Sequence, residues 1–207
     1  MLAGEPEAIL LDEPFAALDS HLRWQLEREV RQTLSEFPGV ALLVSHDRGE
    51  VYRMSERVCV LNAGASEPLA ATEELFARPR TLQAALITGC KNCAPAARIG
   101  AHALRVLAWN AVLACGEEAE ETLTHAGVRA HYIAPCAEGE ENAVFCRVLS
   151  AADDVFSSVL TLLPAGGTET IRAELGKQAG MFPVGGAGWF RLPKEHVMPL
   201  RENHDAR

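Results

Sequence analysis

The sequence is short of positive charge and of long apolar stretches. Its 207 residues include 19 lysines and arginines against 28 acidic residues, giving a formal net charge of −9 at pH 7. Because recognition of a phosphate backbone needs a basic surface, this balance argues against a broad nucleic-acid interface. No run approaches the roughly 18 apolar residues of a membrane-spanning helix. The first residues lack the basic-then-apolar order of a secretory signal, so we expect a cytoplasmic chain unless a partner holds it at a membrane.

The six cysteines do not make up a complete metal-binding pattern. Cys90 and Cys93 form a single Cys-x-x-Cys pair, which is half of the usual four-ligand zinc set. His102 or His125 would have to complete it through the fold. In a chain without a secretory signal, reduced thiols are the expected state.

The first 77 residues alternate short apolar runs with amphipathic ones. Short apolar runs are typical of strands buried on both faces of a parallel sheet, and leucine spacing of three to four residues indicates a helix. This order predicts an α/β arrangement with parallel pairing. The predicted elements are a strand at 8–11, a helix at 20–36 after the cap Asp19-Ser20, a strand at 40–44, a short helix at 47–54, a strand at 57–61 and a helix beginning at Thr72.

Beyond a predicted linker at 78–100, the apolar residues recur with a period of two. Gly166-Gly167 and Gly185-Gly186 supply turns between these stretches, a pattern typical of a small β-barrel or sandwich. The alternating sets are Leu104 with Val106, Val144 with Cys146 and Val148, Val159 with Thr161 and Leu163, and Ile171 with Ala173 and Leu175.

Two acids and an imidazole follow neighbouring predicted strands. Asp12 and Glu13 end the first strand, and His46 ends the second. In open α/β sheets, ligands bind at the carboxyl ends of the strands. One carboxylate there can hold Mg²⁺ through water, and a second can polarise a water molecule for attack on phosphorus. Taken singly, each residue has a plainer interpretation: a strand meeting solvent, a surface histidine and, for Asp19, a helix N-cap.

Together these motifs resemble the end of an ABC-transporter ATP-binding cassette. Leu10–Asp19 resembles the Walker B strand and D-loop, and Leu43–Asp47 resembles the switch-histidine loop. Glu56–Gly64 and Thr72–Pro79 resemble the segments that follow in importer-type members. The resemblance covers residues 1–90, in the family's order.

The resemblance implies a role for five residues. Asp12 would be the Mg²⁺-side carboxylate, Glu13 the general base for the attacking water, and His46 the γ-phosphate contact. Asp19 would belong to the loop that crosses to the opposite subunit, and Ser45 would lie beside the nucleotide. The implied cofactors are ATP and Mg²⁺. The implied partners are transmembrane permease subunits and a second ATP-binding subunit, as a homodimer on the inner face of the cell membrane.

Two family motifs are missing from this sequence. It contains no Gly-x-x-x-x-Gly-Lys-Ser/Thr phosphate loop and no Leu-Ser-Gly-Gly-Gln signature, and Met1–Pro6 resembles the helix that follows that signature. The backbone amides and lysine that cradle the β- and γ-phosphates are therefore lacking. We therefore expect a truncated chain or a fragment that begins in mid-domain. Alone, it should neither bind ATP tightly nor hydrolyse it. Its sheet should leave apolar strand surface uncovered.

The remainder resembles the TOBE domain of importer-type subunits. The resemblance is carried by Gly127–His131, Glu141–Val148, Val184–Leu192 and His196–Leu200. It completes the predicted fold: an α/β partial P-loop NTPase cassette with a parallel sheet and helices at 1–90, and a small OB-like β-barrel domain at 91–207.

The solute class rests on one segment. Thr88–Asn92 resembles molybdate-type subunits, which implies an importer of an oxyanion such as molybdate or sulfate. Lys91, Asn92 and Arg129 could donate hydrogen bonds to an oxyanion, or they could be ordinary surface residues. An alternative function is a non-catalytic oxyanion-binding or regulatory β-barrel module. An OB-type nucleic-acid binder is disfavoured by the acidic balance and the lack of an aromatic and basic stripe.

Overall fold

The structure, a computed structural model, describes residues 6–177 and 182–202. It divides into two compact units, one of residues 6–60 with 66–77 and the other of residues 61–65 with the rest of the described chain. Both helices and strands are present, so the chain is a mixed α/β protein. The Met1–Glu5 part of the segment compared with the post-signature helix lies outside the described residues.

The first unit is built on two parallel strands, which pair from Ala8 opposite Val40 to Asp12 opposite Val44. Two later strands, β3 and β6, pair antiparallel, and β4 pairs with β5. The elements up to residue 77 are β1 (Ala8–Asp12), α1 (Ser20–Ser35), β2 (Val40–Val44), α2 (Arg48–Met54), β3 (Arg57–Val58), β4 (Leu61–Asn62), β5 (Ala65–Ser66), β6 (Ala70–Ala71) and α3 (Thr72–Ala77).

Two sequence expectations for this unit differ from the structure. The strands β1 and β2 are not buried on both faces, since the side chains of Leu10 and Val40 are 68% and 72% exposed. Within the described residues these strands form a sheet of two, so no further strand covers them. The predicted third parallel strand at 57–61 is only the two-residue β3, which pairs antiparallel with β6. The expected uncovered apolar surface is present.

The helix α1 begins at the cap that the sequence predicts, and α2 begins at a cap that was not predicted. Asp19 Oδ1 accepts a hydrogen bond from the backbone N–H of Leu22 at 3.0 Å, which satisfies one of the free amides of the first turn of α1. Asp47 does the same for α2 through the backbone N–H groups of Gly49 and Glu50. Among the helices of the described ranges, none combines the length and apolarity needed to cross a membrane.

From residue 78 onward, the described part of the second unit is built on three antiparallel sheets and the short helix α4. The sheets have the strand orders β8-β9-β10, β7-β11-β17 and β12-β16-β13-β14-β15. The elements are α4 (Leu82–Ile87), β7 (Asn92–Pro95), β8 (Ala97–Gly100), β9 (Ala103–Val106), β10 (Ala111–Ala114), β11 (His125–Val128), β12 (Ala134–Pro135), β13 (Ala143–Asp153), β14 (Ser157–Pro164), β15 (Ile171–Gly176), β16 (Ala187–Arg191) and β17 (Met198–Leu200).

The five-stranded sheet curls towards closure. Its edge strand β15 lies against the 3₁₀ turn Ala130–Tyr132, which leads directly into the opposite edge strand β12. The enclosed core is fully buried and is centred on Trp109, Leu104, Leu160, Ile171 and Phe190. The large sheet is therefore barrel-like.

Two expectations for this unit also need correction. The segment 78–100 is not a linker, because it contains α4, β7 and β8, and its glycines and prolines separate short elements instead. On β14 the inward residues are Ser158, Leu160 and Leu162, not Val159, Thr161 and Leu163. Both faces of β14 are largely apolar, so alternation alone did not identify the buried one.

Candidate functional site

The parallel pairing brings the carboxyl ends of β1 and β2 side by side. Asp12 lies opposite Val44, and the backbone N–H of Glu13 donates to the carbonyl of Val44 at 2.9 Å. The chain segments after both strands therefore leave the sheet at one edge, where α/β sheets bind ligands.

At this edge the structure brings Glu13 and His46 together. Glu13 Oε1 accepts the backbone N–H of His46 at 2.9 Å and lies 2.7 Å from its ring Nδ1. The hydrogen bond to Glu13 and its negative charge raise the pKa of His46 above 6.5. The imidazole is 81% exposed while the carboxylate is one-third exposed, so the ring faces solvent and the acid anchors it. The pair can therefore hold a proton at an open edge of the sheet.

The turn that carries His46 is held by a hydrogen-bond network on its far side. Ser45 Oγ donates to Glu50 Oε2 at 2.7 Å and accepts from the backbone N–H of Asp47 at 3.0 Å. Burial of Asp47 acts to raise its pKa, but the N–H groups of Glu50 and Gly49 and the Arg23 charge lower it below the ordinary value. Asp47 therefore remains a charged cap that fixes the residues on either side of His46.

Two charged contacts connect α1 with the His46 turn and α2. Arg23 Nη1 lies 3.0 Å from Asp47 Oδ2, and Arg53 makes a two-point contact with Glu27 at 2.7 and 2.8 Å. The hydrogen bond that Arg53 donates to Glu27 raises the pKa of Arg53. Glu27 and Glu50 are almost fully buried, and buried charges persist only when paired in this way.

The other predicted site residues are placed separately. Asp12 is exposed at the end of β1, and the Asp19 carboxylate caps α1, as its plainer interpretation states. Ser45 Oγ is bonded to Glu50. Within residues 6–177 and 182–202, no group of three or more His, Cys, Asp or Glu side chains is arranged to hold a metal ion. Asp12 alone would supply one carboxylate to Mg²⁺, and the other ligands would be water and phosphate oxygens.

The supporting network was missed at the sequence level. One signal was present, because Asp47 followed by Glu50 has the spacing of a capping box. Arg23, Glu27 and Arg53 gave no such signal, since charged residues on an amphipathic helix are ordinarily solvated.

In the second unit, two of the proposed oxyanion donors are engaged with the protein. Asn92 Nδ2 donates to the carbonyls of Val128 and Arg172, and its Oδ1 accepts the N–H of Arg172. Arg129 donates to the carbonyl and hydroxyl of Thr88 at 2.8 and 2.9 Å. These side chains hold the unit together and are not arranged around an anion.

No protein-family model matches the chain, but curated proteins do. The spermidine/putrescine import ATP-binding protein PotA of Acidothermus cellulolyticus is 42% identical over 106 residues, 50% of this chain and 28% of its own length. The Fe(3+) ions import ATP-binding protein FbpC of Haemophilus influenzae is 38% identical over 95 residues, which are 46% of this chain and 27% of that protein. The sulfate/thiosulfate import ATP-binding protein CysA of Xylella fastidiosa is 36% identical over 114 residues, which are 55% of this chain and 32% of that protein. The matches span about a third or less of these relatives' lengths.

Among solved structures, a molybdate-bound form of the cytoplasmic molybdate-binding protein ModG covers 53% of this chain and 95% of its own. Its sequence identity is 16% and its TM-score 0.41. Similarity at this level supports no conclusion about the fold or the ligand of this chain.

Proposed function

We propose that this chain, a homologue of the ATP-binding subunits of ABC importers, carries the water-activating end of their ATP-hydrolysis site. The observation that supports this most directly is the 2.7 Å contact between Glu13 and His46 at the ends of two parallel strands. In this proposal Glu13 is the general base for the attacking water, and His46 contacts the terminal phosphate.

The neighbouring residues complete this end of a partial P-loop cassette. Asp12 would hold Mg²⁺ through water, while Ser45 and Asp19 would lie on the loops that border the nucleotide. When bound, Mg²⁺ neutralises charge on the phosphates. The chain itself has no phosphate loop, so the phosphates are held by another segment of polypeptide. By itself the chain neither binds ATP tightly nor hydrolyses it.

The proposed partners follow from the same assignment. They are membrane permease subunits and a second ATP-binding subunit, which would place the chain at the inner face of the membrane. The solutes in the relatives' names differ: spermidine/putrescine, Fe(3+) ions and sulfate/thiosulfate. An oxyanion solute therefore rests on Thr88–Asn92 alone. Asn92 and Arg129 are engaged in hydrogen bonds within the protein, which disfavours the non-catalytic anion-binding alternative. In the proposed importer, the oxyanion would be carried by the permease.

A chimera tests the proposal. The segment of Acidothermus cellulolyticus PotA that corresponds to residues 6–77 is replaced by those residues, and ATP hydrolysis is measured with Mg²⁺. We expect activity comparable to that of PotA. Glu13→Gln removes the base and lowers kcat about 10²- to 10⁴-fold. The matched control is Glu7→Gln, an exposed carboxylate before β1, which leaves the rate unchanged.

Two results would overturn the assignment. One is an active chimera whose hydrolysis is the same with Glu13→Gln as without it. The other is low-micromolar binding of Mg-ATP by the unmodified chain in a calorimetric titration, because that binding would need a phosphate cradle the sequence does not contain.

A further inference from the structure

Two cysteine thiols face each other at the start of β7. Cys90 follows α4, and Cys93 is the second residue of β7. Both are free cysteines, and Cys93 packs against the buried cluster to which Cys90 belongs. The Cys90 thiol donates to the carbonyl of Asn92 at 3.4 Å. Cys90 is 2% exposed, while Cys93 is only partly covered. The pair is therefore in contact, with one sulfur deep and the other close to the surface.

The surroundings leave room for these two sulfurs. Gly127 on β11 lies opposite Cys93. A Cβ atom at Gly127 would lie 3.5 Å from Cys90 Sγ and only 2.9 Å from a methyl carbon of Leu200. The deep side is lined by Ala85, Met198 and Leu200. A glycine at this register position keeps a side chain out of the space around the thiols.

A fixed positive charge lies near the pair. The guanidinium of Arg129 is held by the carbonyl and hydroxyl of Thr88. The hydrogen bond to Cys93 lowers the pKa of Cys90; burial acts to raise it, and backbone N–H groups and the Arg129 charge lower it further. The hydrogen bond to Cys90 raises the pKa of Cys93. The pair thus loses its first proton easily and its second with difficulty, which makes it a thiolate beside a thiol.

We propose that Cys90 and Cys93 are a redox-active dithiol that closes to an intramolecular disulfide, with peroxides as the class of oxidant. The remaining proton moves within the pair from Cys93 to Cys90, and the Cys93 thiolate, which is closer to the surface, attacks one peroxide oxygen. The O–O bond breaks, and Cys93 becomes a sulfenic acid while the released hydroxide takes up a proton. The second thiol attacks the sulfenic sulfur, forms the S–S bond and releases water. Two thiols and one hydrogen peroxide give one disulfide and two waters.

The other described cysteines lack this combination. Burial raises the pKa of Cys115 and Cys136, and raises that of Cys146 to about 12, so their thiolate fractions are small. Cys59 is exposed, and its thiol donates to the carbonyl of Glu67 at 3.0 Å. Cys59 therefore serves as an internal reference for the reactivity of an accessible thiol.

Trypsin makes the test direct, because it cleaves after Lys91, between the two cysteines. The full chain is treated with hydrogen peroxide, the remaining thiols are alkylated, and the digest is analysed by mass spectrometry without and with a reductant. The expected product is peptide Thr81–Lys91 joined to peptide Asn92–Arg98, which separates on reduction. Cys93→Ser removes this product, and the matched control Cys136→Ser retains it.

The presence or absence of the joined peptides is read from the unmodified chain, so the test does not depend on whether a variant folds. Recovery of both peptides separately, each alkylated, at a peroxide level that has already oxidised Cys59 would overturn the proposal. A joined product that Cys136→Ser abolishes would overturn it as well. Neither result bears on the ATPase assignment, since the dithiol lies in the other unit.

Discussion

Among the single residues, Glu13 has an unusual backbone. Its φ of 44° lies in the left-handed region, where a residue with a Cβ atom is strained. At this position the same residue donates its N–H to β2 and presents its carboxylate to His46. Strain of this kind collects where a side chain has a function to perform.

The strain can be measured with a matched pair of variants. Glu13→Gly and Glu13→Ala both remove the carboxylate, but only glycine adopts a positive φ without a steric penalty. We expect the glycine variant to be more stable by about 1 kcal/mol. Hydrogen–deuterium exchange of the β1 and β2 amides reports the opening of these strands separately. Equal protection in the two variants would show that the backbone there is relaxed.

At the residue level, the sequence predicted which side chains meet at the ends of the strands, but it did not predict the contacts that hold them there. Glu13 and His46 could be placed together because parallel strands end at one edge and each residue ends its strand. The contact of Glu27 with Arg53 depends on how α1 packs on α2, and the contact of Ser45 with Glu50 depends on how the turn after β2 folds onto α2. Sequence spacing does not specify such packing.

The helix α1 depends on its first turn. Asp19→Ala removes the acceptor for the N–H of Leu22, and we expect a loss of about 1 kcal/mol in helix stability. Exchange rates of the α1 amides measure this loss. Glu36→Ala, at the other end of the same helix, is the control and should change them little. If both variants behaved alike, the loss would have to be attributed to charge and not to capping.

Asn92 joins β7 to two other strands. Its amide bonds to the backbone of Val128 on β11 and of Arg172 on β15, and the side chain is 2% exposed. Asn92→Ala leaves buried backbone groups without partners, so we expect a loss of roughly 3 kcal/mol in unfolding free energy. Urea denaturation followed by circular dichroism measures it. Lys91→Ala, exposed and adjacent, should stay within about 0.5 kcal/mol of the unmodified chain.

For the elements, type was easier to predict than burial. The helix at 20–36 is α1 almost residue for residue, because a cap and a leucine period both mark it. The burial of β1 and β2 was predicted wrongly because an apolar strand is covered only when another surface lies on it. The inward face of β14 was missed because its outward positions are apolar too, and a bulge in β13 between Val148 and Ser150 shifts the pairing.

Considered as a whole, the molecule carries the residues of the two proposals in separate units. The carboxylates and His46 belong to the unit of residues 6–60 and 66–77, and the dithiol belongs to the other. The first unit exposes Leu10, Val40 and Leu42 on its small sheet. The matched segments make up 28% and 32% of two of the relatives, so the activity of the whole relatives is for this chain a proposal.

The most direct test of the central claim is an NMR titration of the His46 ring, in the unmodified chain and in Glu13→Gln. Glu13 raises the pKa of His46 above its ordinary 6.5, so the pair's stabilising contribution is fully present below pH 6.5 and is lost as pH rises through the raised value. We predict a midpoint above 6.5 that falls in Glu13→Gln, while the other imidazoles titrate identically in both proteins. A His46 midpoint that is the same with and without the carboxylate would contradict the account.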